Sequence, residues 1–282
     1  MTPVSETELA SLSESRDIIS LGMAADDVRR ALHGARTTFV RVADVDVAPG
    51  ALVTIPAAAG EVRIVGTPET RAAAVQRVVE VAAQAEKRPL SGFSLSDLEA
   101  LAAREQTTLR ALLEDLKVAG LELVAEAPFD RLRSPRRSIE QVNIAGLALA
   151  RLTVWQLPSG DVSALYRSIG ELQYDVAVIR AFAPLPRVTN PAVPTTGYDD
   201  VRRVALARLS LNIPSIQVDW SLYGPKLAQV ALTVGANDLD AVTAVDDMSE
   251  GRRRAPLEEV LRNIRAAGLE PTERDGRFDL LA

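Results

Sequence analysis

Asp44 and Asp46 alternate with apolar residues in the run ADVDV, so they share one face of an extended segment, where a pair of carboxylates could meet a cation or an amine. Three further runs carry groups suited to binding or proton transfer. Glu126 in ELVAEAPF and Arg180 in YDVAVIRAFA could join as a buried ion pair or receive a ligand carboxylate, because burial requires a partner for each charge. Asp219 and Trp220, with Tyr223 and Lys226 close behind, make a polar and aromatic rim that suits a planar ligand, with simple core packing as the alternative for Trp220. Asp238 and Asp240 in GANDLDAV open a strand-like run rather than close it, which favours a stability role, whereas Asp246 and Asp247 stand at its other end.

Other chemistry has no foothold. The chain of 282 residues contains no cysteine and one histidine, His33, so thiol catalysis, disulfides, thiolate-held metal and a two-histidine metal centre are all excluded within it. His33 stands in the last turn of a helical segment before Gly34, where imidazole satisfies terminal carbonyls. No Gly-x-Gly-x-x-Gly, Gly-Lys-[Ser/Thr], His-Glu-x-x-His or Gly-x-Ser-x-Gly motif occurs. The formal charge of −6 gives no electrostatic reason to approach nucleic acid or an anionic membrane. The basic runs, RLRSPRR from Arg131 and RRR from Arg252, lack the interleaved aromatics of a nucleic-acid groove and read as solvated faces. A polar, acidic N-terminus without an apolar core, and no stretch near the roughly 20 apolar residues of a bilayer span, lead to the expectation of a cytoplasmic protein.

The elements that must position these residues alternate between β-branched runs and helical periods. Strands are expected at Thr37 to Val47, Glu61 to Gly66, Glu122 to Phe129, Arg151 to Leu157, Tyr174 to Ala183, Ile213 to Trp220 and Asp238 to Val245, with a weak one at Arg88 to Phe93. Leu109, Leu112, Leu113 and Leu116 repeat with helical spacing, as do Leu257, Val260, Leu261 and Ile264. Thr67-Pro68 and Ser96-x-x-Glu99 read as helix starts, and Gly120 and Gly268 as helix stops. Seven or eight βα units predict an α/β fold of the (β/α)8 TIM-barrel type, with an open doubly wound sheet as second choice. The expected organisation is an N-terminal helical segment over 1–36 that packs on one barrel over 37–282.

Particular segments also resemble a known family. The stretch TTGYDDVRRVALARLSLNIPSIQVDWSLYGPKLAQVALTVGANDLDAV is similar to the C-terminal part of the menaquinone-pathway radical SAM enzymes, aminofutalosine synthase and dehypoxanthinyl futalosine cyclase, relatives of FO synthase. LGMAADDVRRALHGARTTFV (Leu21 to Val40), EVRIVGTP (Glu61 to Pro68) and TTLRALLEDLKVAGLELV (Thr107 to Val124) resemble that family's opening helix, second strand and mid-barrel helix. The resemblance implies a trimmed radical SAM-type barrel and a cluster-binding Cys-x3-Cys-x2-Cys loop just after strand one. Here that loop reads APGALVTIPAAAG, Ala48 to Gly60, without a thiolate. A [4Fe–4S] cluster is therefore not expected. The family's glycine pair after strand two appears as Gly66-Thr67 followed by Pro68, a departure at the SAM seat, so no cofactor is expected.

The candidate ligand-binding set is thus Asp44, Asp46, Gly66, Glu126, Arg180, Asp219, Trp220 and Tyr223, with no catalytic or metal residue assigned. The resemblance implies a cluster-free pseudoenzyme in or near menaquinone biosynthesis by the futalosine route, with a small-molecule ligand, a catalytic homologue or another pathway protein as partner. The alternative is an enzyme using Asp44, Asp46, Glu126 and Asp219 for acid–base chemistry on a futalosine-like or chorismate-derived substrate.

Overall fold

The structure, a computed structural model, describes residues 11–12, 17–156, 162–188, 196–245 and 256–281. Asp246, Asp247 and the run from Arg252 to Arg254 lie outside the described residues.

Ten strands and nine helices alternate among the described residues. The helices are α1 (Ile18–His33), α2 (Arg71–Ala85), α3 (Leu95–Arg104), α4 (Leu109–Ala119), α5 (Pro135–Ile144), α6 (Val162–Val176), α7 (Gly197–Ser210), α8 (Trp220–Leu232) and α9 (Pro256–Ala266). The strands are β1 (Arg36–Asp46), β2 (Glu61–Val65), β3 (Leu90–Ser94), β4 (Leu123–Pro128), β5 (Ala148–Leu149), β6 (Leu152–Val154), β7 (Ala181–Pro186), β8 (Ser215–Asp219), β9 (Asp238–Thr243) and β10 (Glu270–Glu273). Strand order runs β10-β1-β2-β3-β4-β6-β7-β8-β9, β5 is attached to β4, and β1 also pairs with β9. The order closes on itself through eight strands, the topology of a (β/α)8 barrel.

The leucine repeat of α4 buries Leu112, Leu113 and Leu116 completely, and the helix is bounded by a Thr108 cap and by Gly120 at φ 113°. Any side chain at Gly120 would meet Ala82 Cβ at 2.9 Å, so glycine serves both the turn and the approach of α2. Other helix starts differ from expectation. Thr70, not Thr67, caps α2, and α3 begins after Ser94, which leaves Ser96 inside the helix. Glu99 instead accepts from Ser138 Oγ and, at 3.3 Å, from the Arg133 amide.

The expected strand at Tyr174 to Ala183 is corrected more substantially. α6 continues to Val176, because Leu165, Ile169 and Leu172 form a buried helical stripe, and the strand starts only at Ala181. Between them the Gln173 amide donates to Ile179 O and accepts from Ile179 N, both at 3.1 Å, so one side chain closes the turn. The β-branched residues that suggested a strand are the helix end and this turn.

The chain groups into two compact units. One comprises 40–152, 243–246 and 273–282. Its core runs through Val62, Ile64, Val78, Leu98, Leu101 and the α4 leucines. Its C-terminal segment is stitched down by paired bonds from Arg277 to Glu122 at 2.7 and 2.8 Å and from Arg41 to Glu273 at 2.7 and 3.0 Å.

The other comprises 1–39, 153–242 and 247–272, with α1 packed on α7. Between these helices lie two fully buried arginines. Arg29 bonds Asp26 at 2.7 Å and Gly34 O at 3.1 Å. Arg208 donates to Gly235 O at 2.8 Å, to Pro214 O at 3.3 Å and to Asn237 Oδ1. His33 shares the Pro214 carbonyl through Nε2 at 3.0 Å, so it serves a neighbouring loop rather than its own helix end. Burial, and next the Arg208 charge, depress the His33 pKa to about 4. The unfolded chain, with histidine near 6.5, therefore binds a proton that the folded one refuses as pH falls from about 6.5 to about 4. Stability is full above that window and declines through it, by about 1–2 kcal/mol after allowance for solvent screening. Urea titrations at pH 7 and pH 5 should show His33→Gln losing less stability on acidification than the parent; equal losses would exclude this role.

Candidate functional site

In the first unit, Asp44 and Asp46 end β1 on an exposed face, and Asp46 Oδ1 accepts from the Ala48 amide at 2.7 Å to start the following turn. Beside them in register, Asp44 lies opposite Arg63 of β2. Arg63 is buried and held at 2.8 Å by Glu61, whose same oxygen accepts from Ser91 Oγ at 2.5 Å. The trio Glu61, Arg63 and Ser91 was not among the expected site residues, although charges alternating with Val62 and Ile64 in EVRIV signalled it. Glu126 lies next to Ser94 in register and is half-buried, and neither it nor Asp44 lacks an interaction partner.

Gly66 adopts φ 114°, and a Cβ there would meet Val47 Cγ1 at 2.6 Å. The turn is closed by protein groups: Thr67 Oγ1 donates to Asp97 at 2.6 Å, and the Arg71 amide at the start of α2 donates to Glu105 at 2.8 Å. A carboxylate from this chain thus occupies one of the amides that a helix N-terminus would offer to an anion.

The loop over 48–60 tests whether a cluster fits. Ala59 is buried with Ala43 of β1 and with Ala244, and Ile55 packs against them. The loop offers methyl groups, carbonyls and one threonine hydroxyl, donors that do not suit iron held by three thiolates. Among the described residues no group of three or more His, Cys, Asp or Glu side chains is placed to hold a metal. The residues present do not fit a [4Fe–4S] cluster.

In the second unit, β7 and β8 end in a charged network. Asp219 caps α8: its Oδ1 accepts from the Leu222 amide and from Ser221 Oγ, both at 2.9 Å, and its Oδ2 from Arg187 at 2.5 Å. Gly224, at φ 72°, kinks α8 before Pro225, and Tyr223 donates its hydroxyl to Pro186 O. Burial first, then the Asp200 carboxylate, raise the Tyr223 pKa, which keeps the phenol protonated. Arg203 bonds Asp200 at 3.1 Å on α7. Trp220 is buried, so its indole is core packing rather than the face of a ligand rim.

Two expectations change here. Arg180 is exposed and precedes β7, at the start of a strand rather than its end, because the expected strand boundary was misplaced. Asp240 lies directly opposite Asp219 in register and is buried, hence level with the C-terminal end of β8 although near the start of its own strand. Stagger between neighbouring strands sets depth, and a single strand's sequence does not carry it. Asp238, two residues earlier, accepts from Thr38 Oγ1 and from Gln217 at 2.7 Å. Arg187 was missed because it follows the misplaced strand.

Residues 182–282, which carry this second network, match the family model described as the CofH/MqnC C-terminal region. The tail of the chain is similar to that region. Similar curated proteins include the 5-amino-6-(D-ribitylamino)uracil--L-tyrosine 4-hydroxyphenyl transferase of Archaeoglobus fulgidus, 34% identical over 127 residues, covering 40% of this chain and 37% of that one. The aminodeoxyfutalosine synthase of Thermus thermophilus is 38% identical over 91 residues, covering 30% and 24%. The chain thus spans well under half the length of these relatives. Among solved structures, methylornithine synthase (PylB) superposes with TM-score 0.68 at 14% identity, covering 96% of this chain and 94% of that one. The hydrogenase maturase HydG from Carboxydothermus hydrogenoformans gives 0.65 at 13%, covering 96% and 76%. These two similarities establish the barrel fold, and the family match with the curated relatives supports the relation to the menaquinone and FO synthase enzymes.

Proposed function

We propose that this CofH/MqnC-related chain is a cluster-free, non-catalytic relative of the aminodeoxyfutalosine synthases that acts beside them as a partner or ligand-binding protein. The observation that carries the reading is the loop after β1, where Ile55 and Ala59 pack on Ala43 and Ala244 in place of thiolate ligands. No helix of the described residues is long and apolar enough to cross a membrane. Anaerobic iron–sulfide reconstitution followed by iron analysis should return no stoichiometric iron, and no cleavage of SAM under dithionite; about four irons per chain would overturn the proposal. Affinity purification from the native host should then recover a catalytic homologue, and titration with L-tyrosine, 5-amino-6-(D-ribitylamino)uracil and aminodeoxyfutalosine separates a partner from a ligand-binding role.

The rival reading, acid–base catalysis by strand-end carboxylates, is weakened at Asp219. A general base needs an acceptor position open to the substrate, and both Asp219 oxygens already accept, from an amide, a hydroxyl and a guanidinium. Asp46 is less committed, with one oxygen bonded to the Ala48 amide. Turnover of any of those three compounds that disappears in Asp46→Asn would restore the enzyme reading.

A further inference from the structure

The loop over 48–60 is fastened along its length by side chains of the same unit. Arg77 of α2, fully buried, donates to Asp46 O at 2.7 Å and to Ala51 O at 3.0 Å, bridging the loop's entry and first turn. Its guanidinium also meets Glu80 at 3.0 Å, and Glu80 accepts from the Gly50 amide at 2.9 Å. The Gly50 amide is also the chief reason that the Glu80 pKa is lowered, so the carboxylate is charged where it holds the loop. Farther on, Arg88 reaches Ala57 O at 3.3 Å, and the loop's exit is fixed by the Gly60 amide on Arg41 O at 2.9 Å. Ile55 lies between these ties, against Ala43, Ala59 and Ala244.

A loop that had merely lost its ligands would leave its carbonyls and amides to water. This one has them met by a buried arginine and its carboxylate partner, and peeling it away would strand the Arg77 charge in an apolar interior. We propose that the segment is a latched cap, with Arg77 and Glu80 as the latch and Ile55 as the plug, which closes the ends of β1 and β9 in this unit against a ligand of the size of SAM. The proposal rests on the cluster-free reading, but fails separately from it: iron uptake tests the one, loop opening and SAM retention the other.

Amide exchange followed by NMR on the whole chain is the test, with equilibrium dialysis against labelled SAM beside it. In the parent, the Gly50, Ala59 and Gly60 amides should be protected and SAM should not be retained. Glu80→Gln, a near-isosteric change at a half-buried position, should speed exchange at Gly50 about tenfold or more while leaving the β2 and β3 amides unchanged. Ile55→Ser should do the same at Ala59. Arg77→Met should open the whole loop; if it does not fold, the two milder variants carry the test alone. Exchange in the parent at unprotected rates, exchange unaltered in both mild variants, or SAM retained by the parent would each overturn the latch.

Discussion

Arg208→Ala should destabilise the protein by about 3–5 kcal/mol in urea denaturation, since it empties the space of a fully buried side chain and takes a charge-assisted donor from three acceptors, at about 1–3 kcal/mol for one left unmet. Gly235 O takes its bond from this guanidinium, while Pro214 O and Asn237 Oδ1 each lose one of two donors, the others being His33 Nε2 at 3.0 Å and the Ile216 amide at 2.9 Å, so the loss reaches the start of β8. Burial and the nearby Arg29 lower the Arg208 pKa only to about 10, so the group is still a cation at neutral pH and its bonds are charge-assisted. Arg208→Met, which keeps the apolar stem, should recover part of the packing but none of the bonds. A midpoint shift within 1 kcal/mol for alanine, on the scale of an ordinary surface change, would show that water replaces the guanidinium and that the buried knot does not hold α7 to the strand ends.

Asp219→Ala should cost about 2–4 kcal/mol, because it removes the N-cap of α8 and one anionic partner of the nearly buried Arg187 guanidinium. Both side chains of the pair are close to nine-tenths buried, at 13% and 12% exposure, so screening by water is limited. Asp219→Asn keeps a cap acceptor and loses the charge, and should fall between alanine and parent. The informative measurement is the double-mutant cycle with Arg187→Leu: removing both charges should restore at least about 1 kcal/mol relative to Asp219→Ala alone. Strict additivity would mean that the two groups do not share an interaction, and Asp219 would again be open to a ligand.

Much of the fold was legible because the strand and helix periods differ. β1, β2, β4, β8 and β9 fall where alternating or β-branched runs predict them, and the α4 leucines bury the stripe that their spacing requires. The failure at Tyr174 to Ala183 has a specific cause: the run is β-branched, but Gln173 closes a turn through its own amide, a local hydrogen bond that periodicity does not register. That one misplacement hid Arg187 and put Arg180 at the wrong end of a strand. Trp220 shows a different limit, since the same residue type serves a rim or a core and only its neighbours decide which.

The sequence by itself determined that this chain holds no thiolate, that its helices and strands alternate, and which residues alternate along each strand, because those are properties of residue type and local period. Tertiary structure alone decided how deep each charge lies and what satisfies it. Stagger set Asp240 beside Asp219, and folding brought Arg187 to that carboxylate from another strand end. It also turned a loop rich in alanine, proline and glycine into a segment tied to α2 by Arg77 and Glu80. Such pairings join residues about thirty positions apart, where burial leaves each polar group to find whichever partner the packing supplies.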